Sequence, residues 1–440
     1  MKRQGLMRTF FLLGLTSLLL SGCTSLTTPD GHLSSSAGTN SPSGDPSILR
    51  VPTLVWDDSG PEYQIHRLNL DQARVAVQGL NFTEVSSTQA LAKAGTLLFP
   101  LTLNELGTIT GFIGKQSAYD PDAAIFAGAE GVSQFSEGKK LVPLRDAVSG
   151  KVFRPPEFAL GRGSSGPGGM VWSEPDADWS SGDWRILWAP IDQQEVRVLA
   201  TSKDLDSPSV LPVVYYEDPA PVFSGARVYW HATFAAPGSE SLSPRLLSVA
   251  LDDPGNVRFE EFEGFGPVNF GAQLLYLGFK TPEEELPPGS PTIPRPTDII
   301  WFDDAGNTKT MVKLADQAPS GEPIMNLGAQ KGIFSFSYLS DFYIVNTETG
   351  KVVAIPMPAE SVVTGVVHCN DRVSFGFFDN KFMSGDSRYV YDVATEGLLR
   401  VQNPSFTGSA QCAGDLMSWS VSEMVDQQDL KWDVVTRWKR

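Results

Sequence analysis

The stretch GARVYW, Gly225 to Trp230, decides how the rest of the chain is read. A small, glycine-bearing turn leads into a short apolar run that ends on an aromatic ring. The same unit returns as GTLLF (Gly95 to Phe99), GGMVW (Gly168 to Trp172), GAQLLY (Gly271 to Tyr276), KGIFSF (Lys331 to Phe336), NDRVSF (Asn370 to Phe375) and GDLMSW (Gly414 to Trp419). VPTLVW, Val51 to Trp56, supplies a weaker eighth copy. Starting from Trp56, the terminal aromatics step by 43, 73, 58, 46, 60, 39 and 44 residues. A motif that recurs at such intervals marks a chain built from repeated supersecondary units.

Most copies are followed by an alternating strand, a turn rich in Asp, Asn or Gly, and another strand. RLLSVALDDPGNVRF (Arg245 to Phe259), DFYIVNTETGKVVAI (Asp341 to Ile355) and RYVYDVATEGLLRV (Arg388 to Val401) are examples. Asp, Asn and Gly suit such bends because they tolerate positive φ or bond their own backbone. A further short strand precedes the unit in PVFSG (Pro221 to Gly225), PVNFG (Pro267 to Gly271) and GVVHC (Gly365 to Cys369). Four short antiparallel strands, repeated from end to end, predict an all-β fold, a single β-propeller with only short, protected sheet edges. The units resemble the degenerate repeats of TolB-like and WD40-like bacterial propeller proteins, which implies a fold and no particular activity. The complete copies favour seven blades, and Trp56 would make eight. The last unit, ending in LKWDVVTRW (Leu430 to Trp438), lacks one strand, and the segment Val51 to Trp56 is expected to complete it and close the ring.

The N-terminus carries Lys2, Arg3 and Arg8 before an uncharged, almost wholly apolar run, Thr9 to Leu20. This order is that of an export signal, and the run is shorter than the roughly 20 residues a membrane-spanning helix needs. Leu20-Ser21-Gly22-Cys23 resembles the lipobox of bacterial lipoproteins, and the resemblance implies that Cys23 becomes the acylated first residue of the mature chain. The expected organisation is a signal peptide over 1–22, a Ser/Thr/Gly/Pro-rich tether over 23–47 and the propeller over 48–440. The expected location is the extracytoplasmic face of a bacterial cell membrane or outer envelope, held by lipid. The formal charge of -17 becomes -20 once Lys2, Arg3 and Arg8 are removed. Such an acidic body is repelled by phosphate backbones, which argues against nucleic acid as a partner.

With Cys23 assigned to the lipid, Cys369 and Cys412 end equivalent strands of neighbouring units, and an export compartment permits either a disulfide between them or two buried thiols. No nucleophile elbow and no H-E-x-x-H pattern occurs, so no catalytic residue is assigned and no cofactor is implied. A divalent metal has no support beyond EPDADWSSGDW (Glu174 to Trp184), which departs from a calcium loop at the sixth and twelfth places. His66 and His231 read as ordinary sheet residues, whereas His368, next to Cys369 on an innermost strand, is a candidate for the channel. Trp179 and Trp184 stand among polar neighbours and are candidate stacking or anchoring residues for a ligand. The leading expectation is a membrane-tethered scaffold that binds an envelope protein or a glycan. The alternative is an extracytoplasmic hydrolase or lyase working through carboxylates or a metal at the channel.

Overall fold

The computed structural model describes residues 54–439, interrupted chiefly at 58–62, 116–118, 121–124, 127–130, 137–140, 154–162, 176–182, 206–210, 214–220, 236–241, 281–294, 316–321, 380–383 and 402–409. Seven antiparallel sheets follow one another along the chain. Blade 1 is built from Thr96–Leu103, Ile109–Lys115, Gly131–Phe135 and Val142–Pro143, and blade 2 from Gly163–Gly166, Gly169–Pro175, Trp184–Ala189 and Glu195–Thr201. Blade 3 contains Val222–Ser224, Arg227–Ala235, Leu242–Ala250 and Asp253–Glu263, and blade 4 Phe265–Phe270, Gln273–Lys280, Arg295–Phe302 and Thr308–Leu314. Met325–Gln330, Ile333–Tyr338, Asp341–Asn346 and Lys351–Pro356 form blade 5, and Ser361–Cys369, Arg372–Asp379, Ser384–Asp392 and Gly397–Val401 form blade 6. Blade 7 has Gln411–Ala413, Leu416–Val425 and Gln428–Trp438. The first strand of each blade touches the first strand of the next, and that of blade 7 touches that of blade 1, so the ring closes. The chain is a seven-bladed β-propeller.

The repeated aromatic is a structural position. The fourth residue of each second strand is Phe112, Trp172, Trp230, Tyr276, Phe336, Phe375 or Trp419, and every one is buried. In the seam between blades 5 and 6, for example, Phe375 meets Phe342 at 4.6 Å between ring centroids. Blade 1 departs from the expectation, because GTLLF falls on its innermost strand and Phe112 takes the aromatic place instead. Both strands of that hairpin are apolar, so the residue pattern alone does not rank them.

The closing strand is also different from the expected one. Phe82–Ser87 pairs antiparallel with Gln428–Trp438 and completes blade 7, with Phe82 packed on Trp419 and Trp438. Leu54–Trp56 instead adds a fifth strand to the outer edge of blade 4. The chain then lays Gln64–Arg67 parallel on the outer strand of blade 5 and Arg74–Val75 parallel on that of blade 6. The N-terminal segment is therefore a belt along the rims of three blades before it closes the fourth. Trp56 stacks on Tyr63 in this belt, which removes the reason for counting an eighth blade. An occupied rim is a protected rim, since unpaired edges invite association with other chains.

Candidate functional site

The residues singled out from the sequence are scattered by the fold. Cys23 and Trp179 lie outside the described residues. Trp184 is not exposed: it is buried in the seam between blades 2 and 3, edge-on to Trp230 with centroids 5.5 Å apart. The polar residues beside it in sequence do not report its environment, because the third strand turns its ring inward. His368 lies in the seam between blades 5 and 6, where its Nε2 and the Ser335 hydroxyl are 2.8 Å apart. Its ring occupies the space that a Cβ at Gly328 would need. Burial pushes its pKa down to about 3, so the imidazole is neutral at physiological pH. Cys369 and Cys412 form a disulfide with Cα atoms 5.4 Å apart, joining the innermost strands of blades 6 and 7. A bridge across 43 residues contributes about 4 kcal/mol in the chain-entropy picture. Among the described residues, no three His, Cys, Asp or Glu side chains converge closely enough to hold a metal ion.

A cavity of about 300 Å³ opens instead on the outer part of the seam between blades 5 and 6. One wall is the belt, which contributes Gln64 and His66. The floor and the opposite walls come from the outer hairpins of the two blades: Asn346, Thr349 and Lys351 on blade 5, Tyr391 and Glu396 on blade 6. Lys351 Nζ forms an ion pair with the Glu396 carboxylate across the seam. The bond from Lys351 and its charge hold the Glu396 pKa below the usual carboxylate range, with a smaller contribution from His66. Burial, reinforced by Glu396 and Asp392, pushes the Tyr391 phenol up to about 12, so it stays protonated. The lining thus combines hydrogen-bonding side chains with the apolar Ile344, Val353 and Val393, and the charges of Lys351 and Glu396 neutralise each other.

The backbone at Glu396 makes this cavity more than a surface irregularity. The outer hairpins of blades 5 and 6 both have four-residue loops, closed by Asn346 paired with Lys351 and by Asp392 paired with Gly397. Asn346 Oδ1 accepts the N–H groups of Glu348 and Thr349, and Asp392 Oδ1 accepts that of Thr395. The last loop residue must be left-handed in both. In blade 5 it is Gly350, at φ +69°, and in blade 6 it is Glu396, at φ +54°. A non-glycine residue there costs about 1 kcal/mol, and Gly397 stands one residue too late to relieve it. Among the described residues Asn326, Leu339 and Asn370 are left-handed as well, and what distinguishes Glu396 is that it lines a cavity and that the matching hairpin has glycine at its place. The signal was present in the sequence as NTETGK (Asn346 to Lys351) against DVATEG (Asp392 to Gly397), a glycine displaced by one place between two otherwise matching hairpins.

No known protein family and no curated protein matches the chain. Solved structures do align with it. A puromycin-hydrolyzing peptidase of Mycobacterium tuberculosis is 13% identical with a TM-score of 0.44, over 80% of this chain and 53% of that one. An oligogalacturonate lyase from Vibrio parahaemolyticus is 10% identical with a TM-score of 0.43, over 82% of this chain and 98% of the lyase. The β-propeller domain of the Trilobed protease from Pyrococcus furiosus is 13% identical with a TM-score of 0.37, over 60% of this chain and 80% of the domain. The chain spans about half the length of the peptidases it matches. The propeller assignment stands on the chain's own strand order and closed ring.

Proposed function

We propose that this protein is a lipid-anchored, extracytoplasmic propeller that binds a glycan of the cell envelope in the cavity between blades 5 and 6. The observation that carries the reading is Glu396, held left-handed at the mouth of that cavity where the matching hairpin uses Gly350. A lining with balanced charge favours a neutral ligand, and the amides of Gln64 and Asn346 with the Thr349 hydroxyl suit vicinal sugar hydroxyls. The volume lies at the small end of ligand sites, which corresponds to roughly one or two sugar rings.

The Glu396→Gly variant separates binding from folding. It is expected to stabilise the fold by about 1 kcal/mol, by relieving the left-handed backbone. The same change should lower glycan affinity at least tenfold, because loss of a charged hydrogen-bonding partner is worth more than a factor of ten. Glycan-array binding and a thermal melt of the two proteins read both effects, and unchanged array binding by the variant would refute the site. The anchor is tested separately: Cys23→Ala should abolish palmitate incorporation and release the protein from the membrane fraction. Retained label would refute acylation at Cys23.

A further inference from the structure

Aligning the blades on the turn between their first and second strands exposes one position at which two of them break the repeat. It is the third-strand residue two places before the partner of the second strand's third residue. Blade 1 has Gly131 there, and blades 2 to 5 have Ile186, Leu246, Ile299 and Phe342. The four large apolar residues are fully buried, as a core position requires. Blade 6 has Arg388 and blade 7 has Asp433.

Both charged residues are buried as well. They do not neutralise each other. Val390, on the same face as Arg388, packs against Met417 and Trp419 of blade 7, whereas Val435, on the same face as Asp433, packs against Leu98 and Ile109 of blade 1. The other deeply buried arginine, Arg372, has a carboxylate, Asp392, 3.0 Å away. Arg388 has none among the described residues, in a chain with 51 acidic against 34 basic side chains. Burial alone lowers its pKa to about 10, which leaves it charged at physiological pH.

The route of the side chain is specific. Arg388 crosses blade 6 from the third strand to the innermost one, past Gly376, which sits opposite it, and past the buried Ser374. Its Nη1 donates to the Ser374 hydroxyl and to the Gly365 carbonyl, both at 3.1 Å. Gly365 is the left-handed residue of a bulge in the innermost strand, and Nη2 occupies the space that a Cβ there would fill. Blades 4 and 5 bulge at the same place, at Gly266 and Asn326, so the inner wall bends together over three blades. The Gly266 amide donates to His231 Nδ1, which shows that an uncharged side chain suffices to hold such a bulge. A guanidinium does more than the bulge requires, because only Nη1 is used and the planar fork matches a carboxylate bidentately.

We propose that Arg388 is a carboxylate-binding anchor in the inner wall of blade 6, recognising the acidic group of a ligand that enters along the propeller axis. The carboxylate belongs either to a uronic acid sugar or to a peptide C-terminus. This site lies in a different seam from the cavity at Glu396 and does not depend on it.

The test is calorimetric titration of the full-length chain with sodium glucuronate and with N-acetylglycine, using glucose and N-acetylglycinamide as neutral counterparts. Saturable binding with a dissociation constant on the order of 1 mM is expected for at least one acid and for neither neutral compound. Glucuronate alone identifies a sugar acid, N-acetylglycine alone a peptide terminus, and both a bare carboxylate. Arg388→Met, which restores an apolar residue at the repeat position, should bind at least tenfold more weakly while melting at a higher temperature. If that variant does not fold, phenylglyoxal modification of Arg388 in the native chain, mapped by mass spectrometry, decides the matter: it should be slowed by the acid and not by its amide. Absence of saturable binding by either acid up to about 50 mM, a concentration far above the expected constant, overturns the proposal. So does equal binding by the variant, or equal modification with acid and amide.

Discussion

A chain that begins at Val77 should still fold to a ring, whereas one that begins at Gln89 should lose its cooperative unfolding transition. The first truncation removes the belt. It deletes the stacked pair Trp56 and Tyr63, the partly buried Leu68 and Leu70, and the Arg67 ion pair with Asp341. At roughly 1 to 2 kcal/mol for each half-buried apolar side chain, the loss is on the order of 5 kcal/mol, a large part of the stability of a typical domain. The second truncation removes Phe82–Ser87 as well. Blade 7 then has only the strands of its own C-terminal segment, Trp419 and Trp438 lose Phe82, and the contact of Val85 with the core between blades 7 and 1 disappears. The two ends of the ring keep the core in which Leu416 and Val435 pack with Leu98, Leu103 and Ile109, but the Lys439 amide bond to the Asn81 carbonyl, the Lys439 ammonium on that of Gly79 and the Thr88 bonds to Asp433 all go with the same deletion. Circular dichroism melts with size-exclusion chromatography read the outcome. A cooperative, monomeric product starting at Gln89 would show that the ring does not depend on this closure.

The second large effect is a pH dependence centred on Asp433. Its carboxyl lies in the seam between blades 7 and 1, and Oδ1 accepts the Ser420 hydroxyl at 2.6 Å. Its backbone is tied to Thr88, the residue just after the closing strand, through N–H to Oγ1 at 2.8 Å and the reverse amide bond at 2.9 Å. Burial pushes its pKa from 3.8 up to about 7, and the Ser420 bond offsets only part of this. Because the folded value lies above the unfolded one, the protonated form is what the fold prefers. The contribution of this site is complete below about pH 4 and is lost progressively as the pH climbs to about 7. Asp433→Asn keeps the acceptor for Ser420 and removes the charge. It should be more stable than the wild type at pH 8, by as much as about 4 kcal/mol for a shift of about three pKa units, and no more stable at pH 4. Denaturant titrations of both proteins at these pH values measure the difference. Equal stability at pH 8 would mean that the ionised carboxylate is accommodated in the seam.

Much of the fold was legible because a propeller blade is a local object. The turn, the period-two alternation and the terminal aromatic are set by neighbours a few residues apart, and Trp172, Trp230, Tyr276, Phe336, Phe375 and Trp419 fall on the same place of successive second strands. The displaced glycine beside Glu396 is a local signal of the same kind. The amino-acid sequence alone therefore determined a repeated all-β architecture, its acidic surface and the separation of a charged, apolar and then Ser/Thr/Gly/Pro-rich N-terminus from the body.

Tertiary structure decided what depends on pairing between distant segments. The choice of Phe82–Ser87 over Val51–Trp56 as the closing strand rests on which edge each can reach, and two- to four-residue rim strands pair through backbone groups that leave almost no side-chain pattern. The cavity joins Gln64 and His66 to Lys351 and Glu396, residues hundreds of places apart that meet only because the belt crosses that one seam. Arg388 and Asp433 read as unremarkable strand charges until strand register places them where other blades bury Ile186, Leu246, Ile299 and Phe342. Register is a long-range property, fixed by the packing of whole sheets, and a one-residue slip would have turned those same side chains into the seam on the other face of the blade, where Tyr389 and Val434 now lie buried.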